Sequence, residues 1–297
     1  MKNPPFTIRH SSLSLKAPAK INWFLKIINK RDDGYHNILS VMQCIGVYDT
    51  LEFESSDAVE VISDLDTPPE SNLVYRAASL LKQYTAYKGG VKITLQKTIP
   101  VGAGLGGGSS DAAYTLLGLN RLWGLGLDRE KLCALGIRIG ADVPFFLHGS
   151  PAIVEGLGEK ITDIEHHVSP FVLLLVKPSI GISTAWAYGV FDTNKFSKLT
   201  KKPIDIKLFC HALVKRDVVS LSTMIQNDLE NVVIDEHPVI EKIKKRMIAS
   251  GAIFSLMTGS GPTVFGVFDS KKTACSAANV MGAQYWSCVT KTIVKMV

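Results

Sequence analysis

Pro100-Val101-Gly102-Ala103-Gly104-Leu105-Gly106-Gly107-Gly108-Ser109-Ser110-Asp111-Ala112-Ala113 is the stretch on which the fold turns. Five glycines fall within residues 102–108, and two hydroxyls, a carboxylate and an apolar helical run follow at once. Without a Cβ, backbone N–H groups can approach a bulky anion. A helix N-terminus directly behind adds unpaired donors and the favourable end of a dipole. The stretch therefore reads as a phosphate cradle, with a flexible linker as the bland alternative. The amphipathic strand before it and the apolar helix after it argue against a linker.

Three familiar phosphate loops are excluded. A Walker loop carries Lys-Ser or Lys-Thr after its last glycine, whereas Gly108 precedes Ser109 and Ser110. Gly102, Gly104 and Gly107 satisfy the dinucleotide spacing, and Asp128 lies near the ribose position. The preceding segment 91–96 alternates apolar and polar residues, however, as a half-buried antiparallel strand does. Asp128, ahead of Arg129-Glu130-Lys131-Leu132, reads better as a helix N-cap. The partner motifs of a protein kinase, H-R-D and D-F-G, are absent from the sequence.

The 297 residues suffice for two ordinary domains. With 46% hydrophobic and 20% charged residues the chain reads as globular and soluble. Its net charge of +6 suits an anionic small substrate, and the lack of a dense Lys/Arg tract argues against nucleic acid. The five cysteines, Cys44, Cys133, Cys210, Cys275 and Cys288, are odd in number and widely spaced, which predicts reduced thiols in a cytoplasmic protein. Residues 1–14 lack the apolar core of a secretory signal. The apolar run 171–176 is too short to span a membrane. Nothing in the pattern calls for an obligate protein partner.

Strands are expected over 15–28, interrupted at Pro18-Ala19-Lys20, and over 51–53, 59–62, 91–96, 171–176, 252–257, 263–268 and 289–294. Helices are expected over 72–84, from the glycine loop to Trp123, over 128–139 with Gly140 as its stop, and over 206–215, 218–229, 238–249 and from Lys271. The face of the 72–84 helix is read as Leu73, Ala77, Leu80, Leu81 and Tyr84. Strands and helices mix without strict alternation, which favours an α+β class. The polar stretch 159–170, which contains His166-His167, is read as the boundary between domains 1–164 and 165–297. The adjacent histidines are read as surface residues.

Several segments could complete a phosphoryl-transfer site, which needs positioning, charge neutralisation and a group to steer a hydroxyl proton. Lys20, in Ala17-Pro18-Ala19-Lys20-Ile21-Asn22, is either a snorkelling edge lysine or a lysine held at a site. Asp142, in Gly140-Ala141-Asp142-Val143-Pro144, is either a turn aspartate or a general base. Tyr35-His36 could stack on and hydrogen-bond a base, or simply pack behind the charged turn 30–33. Thr258-Gly259-Ser260-Gly261-Pro262 is a hairpin turn or a backbone anion nest.

Taken in order, Pro18-Ala19-Lys20-Ile21-Asn22, Gly34-Tyr35-His36, the glycine loop, Gly140-Ala141-Asp142-Val143-Pro144 and Thr258-Gly259-Ser260-Gly261-Pro262 resemble the GHMP small-molecule kinase superfamily. The resemblance runs from about residue 15 to residue 268, with weaker stretches at 72–77 and 227–230. It implies an α+β fold of two domains, ribosomal-protein-S5-like and then ferredoxin-like, with the active site in the cleft between. It implies ATP and Mg²⁺ as cofactors, and transfer of the γ-phosphate to the 2-hydroxyl of a cytidine diphosphate-linked polyol of the non-mevalonate isoprenoid pathway.

Residue by residue, the resemblance makes Lys20 and Asp142 the catalytic pair. It makes Pro100, Val101, Gly102, Ala103, Gly104, Leu105, Gly106, Gly107, Gly108, Ser109 and Ser110 the ATP loop. Asn22, Tyr35, His36, Tyr188, Gly259 and Gly261 contact the substrate on this reading, and Ser110 supplies a hydroxyl to the metal. Trp23 departs from the family's smaller aliphatic, which is expected to reshape the substrate pocket. The residues ahead of His10 look like an unmatched extension, and 193–203 is polar without an assignment. Another kinase of the superfamily, the related diphosphomevalonate decarboxylase, and a non-catalytic nucleotide-binding regulator remain the alternatives.

Overall fold

The computed structural model describes residues 13–65, 67–149, 151–164, 168–193 and 204–293. The N-terminal extension, His166-His167 and the polar segment 194–203 lie outside the described residues. The chain forms two compact units with interleaved sequence, one comprising 1–17, 48–98 and 108–147, the other 18–47, 99–107 and 148–297. Two long strands, β1 (Leu13–Lys30) and β2 (His36–Ser56), pair with each other and contribute residues to both.

In the first unit β3 (Val59–Ser63) runs parallel to β4 (Gly90–Gln96), with α1 (Leu73–Thr85) as the crossover between them. The far end of β2 pairs antiparallel with β4, from Thr50 opposite Gln96 to Ser56 opposite Gly90. Alternation places Leu51, Phe53, Val91, Ile93 and Leu95 in the core. The Asn72 side chain caps α1 by accepting from the Val74 N–H. The buried face of α1 is Val74, Ala77, Ala78 and Leu81, one position round from the expected stripe, and Tyr84 is exposed.

The glycine loop runs into α2 (Gly107–Leu122). Gly118 lets this helix close on the Phe53 ring, where a Cβ would meet Cζ at 2.6 Å. Asp128 caps α3 (Arg129–Gly136) as expected, but the helix ends before Gly140. The apolar run after Asp142 folds as the short helix α4 (Val143–His148).

In the second unit β5 (Ala152–Gly156) pairs antiparallel with the start of β2, and β6 (Lys160–Asp163) with β5. These strands were not expected. β7 (Val172–Lys177) is followed by α5 (Thr184–Phe191), α6 (Ile206–Lys215), α7 (Val218–Met224), α8 (Glu230–Glu236) and α9 (Val239–Ala249). Then come β8 (Phe254–Met257), β9 (Val264–Phe268), α10 (Lys271–Met281) and β10 (Trp286–Lys291). The expected helix 218–229 is shorter, and α8 follows it separately.

The four last strands form an antiparallel sheet in the order β10-β7-β9-β8, the strand order of a ferredoxin-like unit. β7, β8 and β9 are buried on both faces, whereas the edge strand β10 is only half-buried. Leu173, Leu175, Phe265 and Val267 enter the main core, while α9 and α10 cover the other side. Gly266 leaves room there for Met247 of α9, whose Sδ lies 3.1 Å from a Cβ built on the glycine.

One expectation fails in an instructive way. Pro18 does not interrupt β1, because a proline's fixed φ is compatible with extended backbone where no ladder N–H is required of it. Trp23 stands in the hydrophobic core. It is fully buried, edge-on to Phe171, Phe254 and Phe265, with its indole N–H donated to the Gln43 Oε1 at 2.8 Å.

Candidate active site

The glycine loop owes its path to three left-handed residues, Gly102, Gly104 and Gly106, with φ of +61°, +72° and +71°. Gly104 serves a second purpose. A Cβ there would lie 2.4 Å from the Thr258 carbonyl oxygen and 3.0 Å from that of Gly261. A Cβ on Gly259 would in turn lie 2.8 Å from the Gly104 oxygen. The loop and the 258–262 turn therefore pack backbone against backbone, an approach only glycine allows.

β1 supplies the floor of this pair. The Lys20 backbone N–H donates to the Leu105 oxygen at 2.9 Å, and the Lys20 Nζ sits 3.3 Å from where a Gly259 Cβ would be. Lys20 is buried, and its Nζ donates to the Asn22 Oδ1 at 2.7 Å. The Asn22 backbone N–H donates to the Thr258 Oγ1 at 2.9 Å, and its Nδ2 donates to the Ser40 Oγ at 2.9 Å. Lys20, Asn22, Gly104, Leu105, Gly259 and Gly261, from three segments far apart in sequence, are thus neighbours within the second unit.

The turn is also held from behind. The Asn227 Nδ2 donates to the Met257 and Gly259 oxygens, each at 2.8 Å. Glu230 accepts from the Met257 N–H at 2.7 Å and from the Lys244 Nζ at 2.6 Å. Asp228 accepts from the Ile27 N–H at 2.8 Å, and burial pushes its carboxyl up to about 6. The weak sequence match at 227–230 marks this brace.

A second cluster in the same unit gathers two of the three base-reading candidates. His36 stacks on Tyr188 with ring centroids 4.9 Å apart and planes at 29°. Tyr35 does not join them: it is 66% exposed, with its backbone N–H on the Asp33 carboxylate.

In the first unit the start of α2 carries Ser109, Ser110 and Asp111. The turn that leads to Asp142 passes beside it, since a Cβ on Gly140 would lie 3.6 Å from the Ser109 Oγ. Asp142 itself is half-buried and immediately precedes α4. Ser110 is buried, and its hydroxyl has no hydrogen-bond partner among the described residues.

One ion cluster escaped the sequence reading altogether. The buried Lys97 bridges Asp49 and Asp111, at 2.7 Å from the Asp111 Oδ2, and Asp49 also accepts from the Thr98 N–H at 2.6 Å. Burial opposes the charge on Lys97, but the two carboxylates outweigh it and raise its pKa. Burial, reinforced by Asp49 and opposed by Lys97, pushes the Asp111 carboxyl up to about 7. Its Oδ1 is buried without a partner among the described residues. The only sequence signal was an aspartate at an apolar helix start, with a lysine fourteen residues earlier. Among the described residues no group of three or more His, Cys, Asp or Glu could hold a metal ion, and no helix is long and apolar enough to cross a membrane.

Residues 72–150 match the GHMP kinases N terminal domain, and residues 209–287 match the GHMP kinases C terminal model. A 4-diphosphocytidyl-2-C-methyl-D-erythritol kinase of Thermodesulfovibrio yellowstonii is 45% identical over 288 residues, covering 95% of this chain and 99% of the relative. One of Geobacter sulfurreducens is 40% identical, covering 92% of this chain and 96% of the relative. A crystal structure of a 4-(cytidine 5'-diphospho)-2C-methyl-D-erythritol kinase superimposes with a TM-score of 0.81 at 31% identity, covering 94% of this chain and 99% of that one. A mevalonate kinase of L. major shares the fold, with a TM-score of 0.74 at 15% identity, covering 95% of this chain and 96% of the other.

Proposed function

The chain belongs to the GHMP kinases, and on that premise we propose that it transfers the γ-phosphate of ATP to the 2-hydroxyl of 4-diphosphocytidyl-2-C-methyl-D-erythritol. The observation that carries this reading is the joining of two glycine segments into one backbone surface, with the Lys20 ammonium set against it. The relatives at 40–45% identity and the stacked His36–Tyr188 pair support the substrate. The product serves isoprenoid precursor synthesis, and the enzyme acts in the cytoplasm.

The division of labour follows from the chemistry. Phosphoryl transfer asks the protein mainly for positioning and charge stabilisation. Residues 100–110 hold the phosphates by backbone N–H groups and the end of α2. Asp142 accepts the proton of the attacking hydroxyl, and Lys20, braced by Asn22, orients that hydroxyl and counters the charge that develops. Tyr35, His36 and Tyr188 read the base, and Gly259 and Gly261 let the turn approach the substrate. Ser110 fits a hard cation, since its buried hydroxyl oxygen is without another partner among the described residues. When bound, Mg²⁺ neutralises phosphate charge. The two family models fall on either side of residue 164, in keeping with domains 1–164 and 165–297.

An ADP-release assay with the diphosphocytidyl substrate tests the reading. Wild type should turn over, and Asp142→Asn should lose about 10²–10⁴-fold in kcat, the usual range for a general base. A wild-type enzyme inert toward this substrate but active on another alcohol would refute the substrate. Unchanged turnover in Asp142→Asn would refute the base.

A further inference from the structure

Asp192 occupies the C-cap of α5 with φ −66° and ψ −21°. A helix C-terminus is the negative end of the macrodipole, so a carboxylate is electrostatically misplaced there. Its partners account for it. The Lys30 Nζ donates to Oδ2 at 2.7 Å, and the His36 Nε2 lies 2.7 Å from Oδ1. Burial works against the charge on Asp192, but these two hydrogen bonds outweigh it and hold the carboxyl below its usual range. Three elements meet at this point, since Lys30 closes β1, His36 opens β2 and Asp192 ends α5.

The histidine is held at its edge by Asp192 and on one face by Tyr188. Its side chain is 6% exposed. Asp192, Lys30 and His36 line a cavity of about 370 Å³ together with Ile27, Ile28, Asn29 and Phe191. An ionised carboxylate only accepts, so the ring nitrogen facing it carries the proton. In the neutral ring Nδ1 is then left as an acceptor.

We propose that Asp192 is a specificity-determining positioning residue. By holding His36 as the Nε2–H tautomer, it leaves Nδ1 to accept from the exocyclic amino group of an aminopyrimidine and to reject a pyrimidine with a carbonyl at that place. This rests on the base-reading role given to His36 above. A site built to pair a polar group discriminates strongly against an analogue that leaves it unpaired, because the buried site atom then goes without a partner.

The test uses the full chain and two variants. Asp192→Ala removes the acceptor, and Asp192→Asn restores a neutral oxygen in its place. The tautomer of His36 is read by nitrogen-15 NMR near pH 8, where an ordinary imidazole is neutral. Binding of cytidine and uridine 5'-diphosphate is read by calorimetry, and steady-state constants are measured with the cytidyl substrate.

Wild type should show Nε2–H and prefer the cytidine ligand by about 100-fold or more. Asp192→Ala should show mixed tautomers and lose most of that preference. Its KM for the cytidyl substrate should rise about tenfold, the effect of one lost neutral hydrogen bond, with kcat and the KM for ATP little changed. Asp192→Asn should recover the tautomer and most of the preference. A folded Asp192→Ala with the wild-type tautomer and an unchanged cytidine preference overturns the assignment, as does a wild type that binds both diphosphates equally. If wild type prefers the cytidine ligand through Asp192 but never phosphorylates the cytidyl substrate, the assignment stands and the proposed activity falls.

Discussion

Gly104→Ala tests whether the phosphate loop is held by its approach to the 258–262 turn. Gly102→Ala is the matched control. Both glycines are left-handed, at φ +72° and +61°, but a Cβ on Gly102 meets nothing within 4 Å. Each alanine incurs the left-handed penalty, about 1–2 kcal/mol. Only the Gly104 variant adds an overlap. Its Cβ would stand 2.4 Å from the Thr258 oxygen, where ordinary contact begins at 3.4 Å, so loop or turn must yield by about 1 Å. The atoms in the way are all backbone, and no side chain can rotate aside. Overpacking of this kind costs about 1–3 kcal/mol. Gly104→Ala should therefore be about 2–5 kcal/mol less stable than wild type, against about 1–2 kcal/mol for Gly102→Ala. A displacement of that size at a phosphate site should also lower kcat/KM for ATP by about 100-fold. Urea unfolding followed by tryptophan fluorescence reads the first quantity, and steady-state kinetics the second. Equal unfolding midpoints and equal kcat/KM for ATP in the two variants would refute the argument.

Other groups give independent tests. Asn227→Asp would point a carboxylate at the Met257 and Gly259 carbonyls that the amide now satisfies. A lowered urea midpoint, by about 1–3 kcal/mol per carbonyl left unpaired, is expected, and an unchanged midpoint would remove the brace from the account. Lys97→Met strands two buried carboxylates. It should destabilise by about 3–5 kcal/mol, and less near pH 6 than near pH 8, because Asp111 can then take up a proton; a pH-independent loss would contradict this. Asp228 has a folded pKa of about 6, above its ordinary 3.8. The native state thus holds this proton more tightly than the unfolded state does. Its contribution is fully present below the unfolded value and is lost as pH rises through the folded one. Asp228→Asn keeps an acceptor for the Ile27 N–H and removes the titration. Its stability relative to wild type should therefore rise by about 2–3 kcal/mol between about pH 4 and pH 7, and a flat difference would show that the carboxyl is not so perturbed.

What could be read from the sequence was what is encoded locally. The glycine spacing, the cap at Asp128 and the apolar strand β7 each declare themselves within a few residues. Short elements without periodicity did not. β6 is largely exposed and lies in a polar stretch without alternation. The phase of α1 was misjudged by one position because Leu73, Leu80 and Tyr84 are as apolar as the residues that are buried. The role of Trp23 depends on Phe171, Phe254 and Phe265, which no local pattern connects to it. Asp192 was missed for the same reason, with Lys30 and His36 at sequence separations of 162 and 156.

The glycine loop shows how far local reading extends. Its sequence has five glycines that look alike, yet they answer to different constraints. Gly102 and Gly106 bend the chain, whereas Gly104 also admits the carbonyl of a turn more than 150 residues away. The absent Walker lysine leaves a cation to be found elsewhere, and composition alone rated Lys20 as readily a surface residue. Burial decides against that. A lysine 3% exposed that donates to an asparagine side chain, while its own backbone N–H holds the loop at Leu105, is fixed to the loop by both main chain and side chain. An ammonium is retained in such a place only where hydrogen bonds or an anion offset its desolvation. The Asn22 oxygen accepts from the ammonium at 2.7 Å, and the proposed transfer would bring the developing phosphoryl charge to the same group.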